Sequence, residues 1–118
     1  MTTIVFYKSD GCYYGFEEQG HTGYGEQGDD IFCSALSSMT MFIINAIETS
    51  YASAVDYNFD EKSGNITLIA KSALKKYESD EKKQYAVSGL IQAYFFQLMD
   101  LLDEWYEYLD VKEIEKEI

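Results

Sequence analysis

Residues 20–38 read GHTGYGEQGDDIFCSALSS and join a glycine-rich loop to the start of an apolar helix. The first half holds the only histidine of the chain, His21, among four glycines. The second half places Cys33 where apolar residues begin to recur at helical spacing. A thiol and an imidazole are therefore joined by a segment whose glycines allow backbone conformations that are closed to other residues.

The sequence after this loop predicts a long helix over residues 31–51. Apolar side chains recur there at the spacing of one buried helix face: Phe32, Leu36, Met39, Ile43 and Ile47. Asp29 or Asp30 is expected to cap the helix, because a carboxylate at that position accepts from N–H groups of the first turn. Such a start would place Cys33 near unpaired N–H groups and the positive end of the helix dipole, which favour the thiolate.

The sequence on both sides of this helix predicts a sheet. Residues 2–7 (TTIVFY) are β-branched and aromatic, the pair Asp10-Gly11 favours a tight hairpin turn, and residues 12–16 are typical of the return strand. Further along, a second hairpin, a second helix and a short final strand are expected at residues 54–59, 65–70, 81–106 and 108–114. The order ββαββα(β) predicts an α+β fold in which two helices pack on a mostly antiparallel sheet.

The composition favours a single soluble domain over residues 1–118. The formal net charge is −12 and every base is lysine, so nucleic acid is an unfavourable partner. An acidic surface attracts basic partners, although it also serves solubility alone. The longest mainly apolar stretch, residues 39–44, which includes Thr40, is far shorter than a membrane span. Two cysteines without a repeating spacing, and no secretory signal, predict a reducing cytoplasm.

Cys33 and His21 are the pair that offers a thiolate and an imidazole for nucleophilic catalysis. In that role Cys33 attacks a peptide carbonyl, His21 protonates the leaving amine, and water hydrolyses the thioester with His21 as base. The N–H groups of Cys33 and Ser34 are expected to bind the oxyanion. The alternative is an unreactive, buried Cys33 and a surface histidine, and the residue types alone leave both interpretations open.

Other chemistry has less support in the sequence. Cys12 lies in a strand pattern, which predicts a structural thiol. No spacing of ligands matches a zinc site, and the glycines match neither a phosphate-binding nor a dinucleotide-binding loop, so no metal and no cofactor are expected. A redox pair of Cys12 and Cys33 is a further alternative, although a Cys-x-x-Cys arrangement is missing.

Several residues of the central segment together resemble a known family. The dipeptide Gly20-His21, a loop containing Gly28, and the run Asp30-Ile31-Phe32-Cys33 with Ser37 after it are similar to the signature of the ribosomal-processing cysteine protease Prp family, the YsxB-like proteins. The order of strands and helices extends the resemblance over essentially the whole chain.

The resemblance implies that Cys33 is the nucleophile and that His21 is its general base and acid. The other matched or neighbouring positions are expected to support the site or to bind substrate: Gly20, Gly28, Asp30, Ser34 and Ser37. The glycine-rich loop is expected to stay open until a peptide binds and then to close His21 over it. Thr22, Ser34 and Leu36 depart from residues common in the family, which leaves the substrate preference open.

Family membership also implies a partner and a substrate. Members look like homodimers that remove a short N-terminal extension from the large-subunit ribosomal protein L-twenty-seven, cutting after a phenylalanine. The alternative from a different class is a non-catalytic ribosome-assembly or protein-interaction module that keeps the same loop and helix.

Overall fold

The computed structural model describes residues 1–20 and 27–118, with the backbone alone described for residues 27–31. Within these residues, five strands and two long helices follow one another: β1 (Thr2–Ser9), β2 (Cys12–Gln19), α1 (Gln27–Asn45), β3 (Asp56–Phe59), β4 (Ile66–Ile69), α2 (Glu81–Trp105) and β5 (Leu109–Glu115). A π-helical turn, Ala46–Ser50, extends α1, and a 3-10 turn, Lys71–Ala73, precedes α2. The predicted order is confirmed, including the final strand. The predictions for His21 and for closure of its loop lie outside the described residues.

The turn between β1 and β2 sets the register of the first hairpin. Asp10 and Gly11 both have positive φ angles, 51° and 79°, as the two-residue turn favoured by an Asp-Gly pair requires. The strands run antiparallel from this turn, with Phe6 opposite Phe16. The hairpin predicted from these residues is confirmed.

The five strands form one mixed sheet in the order β3-β4-β2-β1-β5. Three neighbouring pairs are antiparallel. The fourth pair, β1 with β5, is parallel, and it sets Thr2 opposite Leu109. Helix α2 connects β4 to β5 across the sheet. Strands β4 and β5 run in the same direction, and parallel strands need a crossover connection of this kind. The predicted α+β class with a mostly antiparallel sheet is therefore confirmed.

Both helices contribute to the core that covers one face of the sheet. Phe6 and Phe16 are fully buried there, and their rings meet the ring of Tyr94 in α2 edge-on at 5.7 and 5.1 Å. Leu36 and Ile47, from α1 and its terminal turn, belong to the same buried cluster. Each large apolar side chain buried in this way stabilises the fold by about 1.5–3 kcal/mol.

Helix α1 begins earlier than the sequence predicts. It starts at Gln27 instead of Ile31, and after Asn45 it continues only as the π-helical turn. Asp29 and Asp30 therefore lie within the first turn of α1, and the prediction that either one caps the helix is wrong. The reason is that the apolar period marks the buried face of a helix, whereas a polar first turn leaves no apolar residues to count.

The segment Phe32–Ser50 is long and apolar enough to cross a membrane by length and composition alone. Leu36, Ile43 and Ile47 from this segment are buried in the core of the domain. The central helix of a globular domain meets the same criterion when it packs on more than one side. The expectation that no segment crosses a membrane therefore stays a prediction.

Candidate active site

Cys33 is the seventh residue of α1, and its side chain is half-buried. The N–H groups that lack a partner within a helix are those of its first four residues. The N–H groups of Cys33 and Ser34 lie beyond them and bond carbonyls one turn earlier. The prediction that Cys33 lies at the helix start is therefore wrong, and the prediction that these two groups bind an oxyanion loses the unpaired N–H groups on which it rested. The influence of the helix dipole also declines beyond the first turn.

Ser37 lies four residues after Cys33, so the two residues are neighbours on one face of α1. Both side chains are half-buried, whereas Ser34 is exposed. Asp30 lies three residues before Cys33, one turn earlier, and Gly28 lies in the first turn. The structure thus brings Ser37 next to the thiol and leaves Ser34 on the solvent side of the helix.

Gly20 directly follows β2 and occupies a position that only glycine fits. Its φ angle is 87°, a backbone conformation that costs other residues free energy. A Cβ atom at this position would also overlap the carbonyl oxygen of Met1. Gly20 therefore fixes where the chain leaves the sheet after β2.

Stacked aromatic rings place the turn carrying Cys33 at the C-terminal end of α2. Phe32, the residue before Cys33, is buried and stacks on Trp105 with ring centroids 5.0 Å apart and planes at 19°. The ring of Trp105 in turn lies 5.9 Å from that of Tyr108. Three rings therefore join the turn carrying Cys33 to the segment that leads into β5.

The same end of the sheet carries Gly20. The N–H of Thr2 donates to the carbonyl of Tyr108 at 2.8 Å, and Gly20 lies against Met1. Cys33 follows Phe32 in the chain, so Cys33 and Gly20, the residue before His21, adjoin one region. We call this region the site end of the sheet; it comprises Met1, Thr2, Gly20, Phe32, Trp105 and Tyr108.

Cys12 lies at the opposite end of α2. Gln84, in the first turn of α2, donates from Nε2 to Cys12 Sγ at 3.4 Å and to the carbonyl of Ala73 at 2.7 Å. Gln84 and Trp105 are 21 residues apart, about 31 Å along the helix axis. Cys12 and Cys33 are thiols in the structure. They are too far apart for a disulfide, which needs Cα atoms within about 7 Å. The redox-pair alternative is therefore wrong for a single chain.

A buried carboxyl group beside the site end was missed at the sequence level. Glu18 is 0 % exposed, and its Oε1 accepts hydrogen bonds from the hydroxyls of Tyr94 at 2.7 Å and Thr40 at 3.1 Å. Burial first, and then the charge and hydrogen bond of Glu18, raise the pKa of Tyr94, so this hydroxyl remains a donor. The strand alternation that buries Phe16 also turns Glu18 inward, and this signal was available in the sequence.

Metal ligands are not clustered in the part of the chain that the structure describes. Among residues 1–20 and 27–118, no group of three or more histidine, cysteine, aspartate or glutamate side chains is arranged to hold an ion. The chemistry offered at the site end is that of a half-buried thiol with a hydroxyl one turn away.

A half-buried thiol on a helix, in a chain whose one histidine follows β2, offers the pair of groups that cysteine hydrolases use. The model of the family "Cysteine protease Prp" matches residues 1–110, and the chain belongs to this family. The family predicted from the dipeptide Gly20-His21 and the run ending in Cys33 is confirmed.

Solved structures share this fold over nearly the whole chain. SMU.848 from Streptococcus mutans is 29% identical, with a TM-score of 0.79 and coverage of 98% of this chain and 99% of that one. The essential ribosomal processing protease Prp from S. aureus, in complex with a substrate peptide, is 20% identical, with a TM-score of 0.74 and coverage of 98% and 100%. Its complex with a covalently linked product peptide is 21% identical, with a TM-score of 0.74 and coverage of 97% and 100%. No match is found among curated proteins.

Proposed function

We propose that this protein is an endopeptidase that removes the N-terminal extension of a large-subunit ribosomal protein, the L-twenty-seven precursor. The observation that carries the proposal is that Cys33 and the glycine leading into His21 adjoin one end of the sheet. The S. aureus relative supports it, because that ribosomal processing protease has been seen with a substrate peptide and with a covalently linked product peptide.

The reaction proceeds in two stages. The Cys33 thiolate attacks the scissile carbonyl carbon and forms the C–S bond. The C–N bond breaks as His21 donates a proton to the leaving amine, which yields a thioester and the new N-terminus. Water then attacks the thioester carbonyl while His21 takes its proton, and the C–S bond breaks to release the carboxylate product and the Cys33 thiolate.

The position of Cys33 in α1 constrains how the oxyanion is bound. The backbone N–H groups of Cys33 and Ser34 are engaged within the helix, so the donors come from other groups. The hydroxyl of Ser37, one turn from the thiol, is a candidate donor, because a side-chain hydroxyl can supply part of an oxyanion hole. Ser37→Ala is expected to lower kcat more than it raises KM, with Ser34→Ala as the matched control.

The substrate is basic and the enzyme is acidic. The net charge of −12 favours rapid encounter with a positively charged ribosomal protein segment. The same charge disfavours nucleic acid as a direct partner. We place the enzyme in the cytoplasm, where its substrate is made, without a membrane partner and without a cofactor.

A second copy of the chain is the proposed partner in solution. Phe42 of α1 is 67% exposed, and it borders a groove between the two helices together with Met39 and Leu90. An exposed apolar groove of this kind favours association. Phe42→Ser is expected to shift sedimentation from dimer to monomer, whereas Tyr85→Ser, at an exposed aromatic residue near the start of α2, leaves it unchanged. A monomeric wild type would contradict the dimer.

The deciding experiment follows a precursor peptide by mass spectrometry. Wild type is expected to release the extension, and Cys33→Ala and His21→Ala are expected to abolish cleavage while Cys33→Ala still binds the peptide. Cys12→Ser is the matched control at the other thiol and should keep full activity. Equal cleavage by wild type and Cys33→Ala would exclude the protease. Binding without cleavage by wild type would favour the non-catalytic ribosome-assembly module.

A further inference from the structure

Glu18 is the one fully buried acidic side chain among the described residues. It is 0 % exposed and precedes His21 by three residues. Its register partner across the sheet is Ile4 of β1, near the strand end against which Gly20 lies. Burying a carboxyl group is costly unless hydrogen bonds compensate for the lost water.

One oxygen atom of Glu18 joins three elements of the fold. Oε1 accepts from the hydroxyl of Tyr94 in α2 at 2.7 Å and from the hydroxyl of Thr40 in α1 at 3.1 Å. Thr40 is itself 0 % exposed and Tyr94 is 5 % exposed. Strand β2 is thereby tied to both helices at a single buried point.

The two elements tied by Thr40 and Glu18 are those that carry Cys33 and lead to His21. Thr40 follows Cys33 by seven residues, which is about two helical turns, so both lie on one side of α1. A hydrogen bond from Thr40 to β2 fixes the rotation of α1 about its axis and its height along the strand. Glu18 is the acceptor of that bond, and the chain beyond it leads through Gly20 to His21.

We propose that Glu18 is a positioning residue: its carboxyl group, through Thr40 and Tyr94, sets the placement of helix α1 and of the Cys33 thiol that this helix carries. This inference rests on the proposed protease function, because it assigns Glu18 a part in that same site. Glu18 takes no proton from substrate and forms no bond with it. Its effect is to hold the Cys33 thiol in the position that the reaction requires, where small displacements have large kinetic consequences.

The test separates positioning from plain stability with three variants. Glu18→Met keeps an unbranched side chain and removes the acceptor, and Glu18→Gln keeps an amide oxygen that accepts from both hydroxyls. Gln84→Met is the matched control, since Gln84 is a buried polar residue of the core whose hydrogen bonds lie at the Cys12 end. All variants are made in the Cys12→Ser background, so that Cys33 is the only thiol.

Two readouts are measured at a temperature where every variant is folded. With the precursor peptide, Glu18→Met is expected to lower kcat by about tenfold to a hundredfold, with KM changed by about twofold or less. Glu18→Gln restores most of kcat, and Gln84→Met keeps the wild-type kcat even if its melting temperature falls. With iodoacetamide, Glu18→Met slows Cys33 alkylation, and this slowing disappears when His21 is replaced by alanine, because the two changes then act on one interaction.

Either of two results would overturn the inference. In the first, Glu18→Met has the kcat and the rate of Cys33 alkylation of the wild type. In the second, Glu18→Met slows Cys33 alkylation equally whether His21 is present or replaced by alanine. Failure of the protease function gives a different result: wild type and Cys33→Ala then cleave the precursor peptide equally or not at all, and His21→Ala does not change the slow alkylation of Cys33. Should Glu18→Met not fold, Tyr94→Phe removes one donor while keeping the ring and makes the same comparison.

Discussion

The two ends of the sheet each hold a cysteine, and they are built differently. At the Cys12 end, side chains bond to one another and to the C-terminal segment: Gln84 to Cys12, Tyr13 to Glu113, and Tyr14 to the carbonyl of Lys116. At the site end, stacked rings and a glycine position the backbone around Cys33. The surroundings of a thiol, more than its presence, decide whether a cysteine is structural or reactive.

The largest expected difference between the two ends is in thiol reactivity. A catalytic thiol paired with an imidazole has a lowered pKa and reacts as a thiolate. Cys33 should therefore be alkylated by iodoacetamide at neutral pH at least about tenfold faster than Cys12. Mass spectrometry of tryptic peptides measures both rates in one sample. Equal rates would remove the proposed contrast between the ends.

Glycine substitutions compare the backbone at the two ends. Gly20→Ala meets both a positive φ angle and the Met1 carbonyl, and it should cost about 2–3 kcal/mol of unfolding free energy together with most of the cleavage activity. Gly11→Ala shares the positive φ angle of 79° but meets no atom within 4 Å, so it should cost about 1 kcal/mol and leave activity intact. Urea unfolding measures the stability of the two variants, and peptide cleavage measures their activity. A Gly20→Ala variant with wild-type stability would contradict the predicted overlap of its Cβ with the Met1 carbonyl oxygen.

The Cys12 end should weaken selectively at alkaline pH. Burial first, and then hydrogen bonds to Glu17 and Glu113, raise the pKa values of Tyr7 and Tyr13 to about 12. Their unfolded pKa is about 10, so the stabilisation is complete below pH 10 and is lost as the pH rises from about 10 toward 12. Urea unfolding across this range should show stability falling less steeply in the Tyr7→Phe, Tyr13→Phe double variant than in wild type. If the unfolding free energies of the two proteins fell in parallel with pH, the two phenols would have the same pKa in the folded and unfolded chain.

The smallest expected effect is spectroscopic. Trp105 is the only tryptophan of the chain, and it stacks on Phe32 next to Cys33. Alkylation of Cys33 should therefore change its fluorescence, whereas alkylation of Cys12 in a Cys33→Ala background should leave the spectrum unchanged. An identical response to both modifications would contradict the separation of the two ends.

Local signals explain why most elements were predictable. The Asp10-Gly11 pair specifies its own turn, and Asp80 caps α2 where a helix was predicted from Glu81, accepting from the N–H groups of Lys82 and Lys83 at 3.0 and 3.3 Å. The start of α1 was not predictable in the same way, because its first turn is polar and carries no apolar period.

The candidate site was predictable only in part. Residue order and type gave the signature around Cys33, and the family match bears it out. The distance between Cys12 and Cys33 depends on the 25-residue length of α2. It also depends on their positions at opposite ends of that helix. The contacts of Glu18 required Thr40 and Tyr94, which lie 22 and 76 residues away along the chain. Such distant pairings leave no periodic trace in a sequence.

Because β1 pairs with β5, the first strand of the chain completes its pairing only after the last strand has been synthesised. Thr2 and Leu109 are register partners, and the Thr2 N–H bonds the carbonyl of Tyr108, so the first and last strands meet at the end that bears the site. Contacts this distant in sequence form late, since closing so long a loop is slow. A nascent chain therefore cannot complete the site end of its sheet until β5 has left the ribosome, and a chain that terminates before β5 never forms this end.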